Sequence, residues 1–167
     1  MQYFWMVLFG LGSFFLWAAI HELSHAVAAR WKLGAREFRF RLYPHFLENG
    51  RFVFASVAWQ LPGQSLGLPG RPGVCLAPRV LDLLGVVLFP LSAPVDFLEW
   101  HQIALAALAA LAAGGVVDLF VGSIGWSPDS DLRQAAKLAG AEPNVLRVPG
   151  LMLVVVSVGW WACLQFG

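Results

Sequence analysis

Four stretches of this 167-residue chain are long and apolar enough to cross a lipid bilayer, and nothing else in the sequence constrains its fold so strongly. A spanning helix needs about 20 predominantly apolar residues. Inside the hydrocarbon only helices and closed barrels satisfy every backbone polar group. The stretches run over about 3–29, 80–97, 103–122 and 148–164. Charged residues make up 13% of the chain; a soluble domain carries about 25%. Too few remain to cover a water-facing surface. The expected fold is a mainly α membrane protein with four transmembrane helices, one integral-membrane domain over 1–167. In the third stretch, "ALAALAALAAGG" supplies small residues that let neighbouring helices approach closely.

Between the first two stretches the composition changes. Residues 31–78 are rich in Arg, Gly and Pro, and "REFRFRLYP" and "GRFVFASVAWQLP" alternate apolar with polar or charged residues around the turn signal "ENG". That alternation predicts a β-hairpin over about 36–62, with one face resting on the membrane surface.

The basic residues give an orientation. All eleven fall between the first and second stretches (Arg30, Lys32, Arg36, Arg39, Arg41, Arg51, Arg71, Arg79) or between the third and fourth (Arg133, Lys137, Arg147). Basic loops stay in the cytoplasm, so both termini are expected outside, as an even number of spans requires. The first helix lacks a basic n-region and a small-residue cleavage pattern, so it is expected to be retained rather than removed as a signal peptide. With a net charge of +1, the bilayer is the expected partner and nucleic acid is not. Cys75 and Cys163 show no metal or redox spacing and read as packing residues. Trp5, Phe14, Phe15, Trp17, Trp160 and Trp161 fit lipid contacts or interfacial belts.

The first apolar stretch contains H-E-x-x-H: His21, Glu22, Leu23, Ser24 and His25. Residues four apart share one helix face, so both imidazoles reach a single ion. Neutral imidazole suits zinc, and Glu22 stands where it can take a proton from water activated by the ion. Two histidines and a glutamate could instead stabilise helix contacts, but ionisable residues inside a membrane are expensive and usually functional. A catalytic zinc site needs three protein ligands. The third stretch returns to the side where His21 and His25 lie, near the cytoplasmic end of the first helix. That nominates Asp129 and Asp131 in "GWSPDSDLRQAAKLAG", and Asp118 in "GGVVDLFVG" about two turns deeper. Asp131 in the first turn of a short helix is also what the macrodipole favours in any protein, with Asp129 or Ser130 as N-cap. Asp118 could ligate the ion or hold a ligating histidine from behind. His101 lies on the outer side and His45 suits a hairpin edge. Asp82 is expected to pair with Arg79 or another basic residue.

The H-E-x-x-H helix, the hairpin after it, and Ser130-Asp131 followed by "LRQAAKLAG" together resemble the site-2-protease family of intramembrane zinc metalloproteases, particularly its small bacterial branch. The resemblance covers most of the chain in layout and about fifteen residues in specific motifs. It implies a bacterial cytoplasmic membrane, a Zn2+ ion on His21, His25 and Asp131, and Glu22 as general base. It also implies transmembrane segments of other proteins as substrates. The family's usual Asp-Gly is missing here, which leaves Asp118 and Asp129 as alternates for the third ligand. A rival reading is a non-catalytic zinc-binding membrane protein with a structural or partner-binding role.

Overall fold

A computed structural model describes residues 2–47, 50, 52–61, 71–92, 103–125 and 130–167. The chain is mainly helical. The helices are α1 (Gln2–Leu33), α2 (Arg71–Cys75), α3 (Ala77–Leu88), α4 (Ile103–Ile124), α5 (Asp131–Leu138) and α6 (Asn144–Phe166). A 3-10 turn, Phe89–Ser92, extends α3. Four strands lie between α1 and α2: β1 (Arg36–Arg41), β2 (His45–Phe46), β3 (Phe52–Val53) and β4 (Ser56–Gln60). Among the described residues three helical runs are long and apolar enough to cross a membrane: Arg71–Ser92, Ala107–Ile124 and Asn144–Phe166.

The solvent is legible in which residues face out. Val80, Val87, Val117, Val155 and Val156 are all exposed, whereas Arg79, Asp82, Ser123 and Ser157 are buried. Large apolar side chains outside and small or polar ones inside is the arrangement lipid favours. Val86, Val116, Leu119, Leu132 and Val154 join α3, α4, α5 and α6 in one apolar cluster. Helices α3 and α4 touch through glycines: a Cβ at Gly85 would sit 2.8 Å from the Ala112 carbonyl oxygen and 3.0 Å from Gly115 Cα. The Trp17 ring lies over Gly114 and Gly115. Trp17 is therefore packed into the bundle, unlike the lipid-facing role expected for it.

The second apolar run begins earlier than its expected start near residue 80. Pro72 and Pro78 look like helix breakers in sequence, but each sits in the first turn of its helix, where the missing N–H has no helical acceptor to serve. The expected residues 93–97 of that span lie outside the described residues. The fourth run likewise starts at Asn144, with Pro149 accommodated inside α6.

Helix α1 continues two turns past His25 to Leu33, so the histidines do not stand at its end. Gly34 then reverses the chain with a left-handed φ of 64°, its N–H bonding to the Arg30 carbonyl. Strands β1 and β4 pair antiparallel, with Arg41 opposite Ser56 and Phe38 opposite Trp59, and β2 pairs with β3 inside them. Glu37, at φ 53°, lies at the bulge where the β1–β4 register shifts. This nested hairpin runs back along α1. Ala35, Phe38 and Trp59 pack near Ala29 and Leu33, while Phe54 meets Phe14 edge-on with ring centroids 5.0 Å apart. From Leu33 to Phe14 is about 28 Å of helix, so the hairpin follows α1 rather than lying flat across its end.

Candidate metal centre

His21 and His25 occupy one face of α1, with ring centroids 5.0 Å apart. Each uses Nδ1 on an acceptor. His21 Nδ1 bonds to Asp118 Oδ2 of α4 at 2.7 Å, and His25 Nδ1 bonds to the Val74 carbonyl of α2 at 2.9 Å. A carboxylate and a carbonyl only accept here, so both hydrogens sit on Nδ1, and a neutral ring then offers its Nε2 lone pair. The Val74 carbonyl is free for a reason written in the sequence. It lies in the last turn of α2, and residue 78, four positions on, is a proline with no N–H to give it.

Both Nε2 atoms face one oxygen of α5. Asp131 Oδ2 lies 3.4 Å from His21 Nε2 and 3.5 Å from His25 Nε2. The three ligand-type atoms all lie within 4.8 Å of one another. Atoms bound about 2.0–2.1 Å from a tetrahedral ion stand about 3.3–3.4 Å apart. Two edges of the triangle therefore already have the length that such an ion requires. Two nitrogen lone pairs and a carboxylate pointing at one another are otherwise a repulsive set, and a divalent cation between them removes the repulsion. The residues present fit zinc.

Of the three aspartates the sequence nominates, Asp131 joins the two imidazoles. Asp118 stands behind His21 on its Nδ1, level with the site rather than two turns deeper. Asp129 lies outside the described residues, as does His101. His45 is taken up within the hairpin, with Nδ1 on the Tyr43 carbonyl at 2.7 Å and Nε2 on Ser56 Oγ at 2.9 Å. Ser130 occupies the N-cap position of α5, yet its side chain makes no capping bond, and the Asp131 carboxylate turns toward the histidines. The backbone N–H of Val57 lies near the Glu22 carboxylate, and β4 packs against the same stretch of α1.

The sequence suggests Arg79 only as a partner for Asp82, and its reach in the structure is wider. Its Nη1 donates to Asp82 Oδ2, while its Nη2 donates to Asp131 Oδ2 at 2.9 Å and lies 3.5 Å from Asp118 Oδ1. Arg79 is 7% exposed and Asp82 0%. One guanidinium thus serves carboxylates from α3, α4 and α5. The signal was an arginine at the edge of an apolar run, directly after a proline at a helix start. Burial alone would raise the Asp131 carboxyl, but in the metal-free chain hydrogen bonds from His21 and His25 when these are protonated, together with the charge of Arg79, outweigh it and hold the group well below the usual carboxylate range.

Comparisons of this chain with protein-family models, with curated proteins and with solved structures return no match.

Proposed function

We propose that this chain is an intramembrane zinc metallopeptidase that cuts membrane-embedded segments of other proteins near the cytoplasmic face. One observation carries the reading: the Nε2 atoms of an H-E-x-x-H helix converge with Asp131 Oδ2 at 3.4 and 3.5 Å, while acceptors hold both Nδ1 hydrogens. Among the described residues no fourth His, Cys, Asp or Glu joins this group. That favours an open position over a closed structural shell. Zinc held by the three side chains supplies a Lewis acid that polarises a carbonyl and acidifies water.

The chain's own groups do the rest. Asp118 fixes the His21 tautomer so that Nε2 offers its lone pair, and the Val74 carbonyl does the same for His25. Arg79 keeps Asp131 in place through its Nη2. Glu22, one residue from His21, takes the proton of the attacking water on its carboxylate and passes it to the leaving amine nitrogen. Among the described residues strand β4 is paired on one edge only, to β1, and it runs beside Glu22. Its other edge suits an unwound substrate strand added by backbone hydrogen bonds.

The membrane reading extends to α1 as the fourth span, since its 32 residues measure about 48 Å against a hydrocarbon core of about 30 Å. With four spans the basic segments 30–79 and 133–147 lie in the cytoplasm and both termini outside. The setting inferred from the resemblance is a bacterial cytoplasmic membrane, with the hairpin against α1 in contact with lipid.

One observation favours the non-catalytic rival. Arg79 Nη2 already stands 2.9 Å from the oxygen of Asp131 that faces the histidines. A guanidinium-centred network can therefore neutralise the carboxylates as a structural device. Cleavage separates the two. Wild type and Glu22→Gln are reconstituted with single-span test proteins and the fragments followed by mass spectrometry. Zinc-dependent cleavage by the wild type, lost in Glu22→Gln, supports the peptidase. Full cleavage by Glu22→Gln removes Glu22 from the chemistry.

A further inference from the structure

We propose that the junction between α5 and α6 is a binding site for a phosphate group, presented by an anionic phospholipid at the membrane surface. The site is separate from the histidine–aspartate cluster and does not rest on the peptidase reading. An open cavity of about 480 Å³ lies there, and Arg133, Lys137, Glu142, Asn144 and Arg147 line it. Three cations face one carboxylate. Among the described residues none of the three makes an ion pair within 4.0 Å.

The cations are not equivalent, and their differences shape the site. Arg147 is held rigidly against the end of α4, with Nε donating to the Ser123 carbonyl at 2.8 Å and Nη2 to the Ile124 carbonyl at 2.6 Å. Its Nη1 makes only a 3.4 Å contact with Asn144 Oδ1, which leaves that edge for a ligand. Arg133 Nε is buried without a hydrogen-bond partner. Lys137 adds an exposed ammonium one turn further along α5. A phosphate offers enough acceptor oxygens to engage a fixed guanidinium edge, a second guanidinium and an ammonium together.

Position selects the source. The cavity sits at the start of α6, whose apolar run toward Phe166 is one of the three membrane-capable helices. A cavity at that depth meets the layer of lipid phosphates, where each Lys or Arg contributes about 1 kcal/mol of attraction to anionic headgroups.

The test uses the full chain, purified in a neutral detergent. Thermal stability and lipid retention in native mass spectrometry are read with added phosphatidylglycerol, with phosphatidylcholine, and with inorganic phosphate at millimolar concentration. Selective retention of phosphatidylglycerol by the wild type is expected, weakened about 30-fold in Arg133→Gln/Lys137→Gln. The conservative Arg133→Lys/Lys137→Arg pair should restore it. Arg147 is left untouched because it closes the end of α4. Zinc content of the double variant, unchanged from wild type, is the control for folding. Stabilisation by inorganic phosphate alone would keep the site and overturn the lipid as its source. Equal retention of both lipids with no response to phosphate, or a double variant that binds like wild type, would overturn the site itself.

Discussion

Removing the guanidinium of Arg79 should be the most damaging single change in the bundle. Arg79→Met leaves a methionine of similar length on α3 but strips the counter-charge from Asp82, which is 0% exposed, and from Asp131 at 2.9 Å. Breaking a buried pair from one side costs about 3–5 kcal/mol, because the remaining charge is left uncompensated. At about 2–4 °C per kcal/mol for a chain of this size, the midpoint of thermal unfolding should fall by about 6–20 °C. Replacing both partners behaves differently. Arg79→Met/Asp82→Leu removes the stranded carboxylate together with its partner and should recover most of the loss. Arg79→Lys should fall between, since one ammonium cannot fork to Asp82 and Asp131 at once. The assay is unfolding of each variant in detergent, followed by circular dichroism with chelator present so that metal binding does not contribute. A cost below about 1 kcal/mol for Arg79→Met would refute the reasoning. So would a double variant no more stable than the single one.

Other consequences follow from individual contacts. Asp118→Ala should leave the three ligands in place but free the His21 ring, weakening zinc binding about 10–100-fold in a chelator competition. Gly85→Ala should destabilise the bundle by about 1–3 kcal/mol, because the new Cβ would meet the Ala112 carbonyl oxygen at 2.8 Å; chemical unfolding measures it. The Asp131 carboxyl is depressed in the folded chain, so the unfolded state binds its proton first. Its contribution to stability is therefore full above the ordinary carboxylate range and declines as pH falls below about 4. With chelator present, the stability gap between wild type and Asp131→Asn should narrow as pH falls below about 4.

The features that could be read from sequence were those with a period or a fixed spacing. Apolar runs marked the helices, and the i, i+4 pair His21 and His25 marked the shared face. Strand alternation on either side of Gly50 marked the hairpin, which the structure resolves into two nested pairings. Features that depend on chain meeting chain were harder to see. Pro72 and Pro78 hid the early start of the second helical run, since in sequence a proline at a helix start looks like one that prevents a helix. The depth of Asp118 was misjudged because the helices do not end level. His21 sits three turns before the end of α1, which puts it beside the interior of α4. The Arg79–Asp82 pair is local, i and i+3 on α3, but the reach of Arg79 to Asp118 on α4 and Asp131 on α5 leaves no local pattern. The Val74 carbonyl was visible in principle, because a proline four residues later always frees the acceptor before it.

The most direct test of the central claim is zinc bound per folded chain, measured by elemental analysis on detergent-purified wild type beside His25→Ala and Asp131→Ala. About one zinc in the wild type and close to none in either variant is the expected result for a site built from one imidazole pair and one carboxylate. A folded wild type that binds no zinc, or variants that retain it in full, would contradict the metal centre and leave Arg79 as the cation around which these side chains gather.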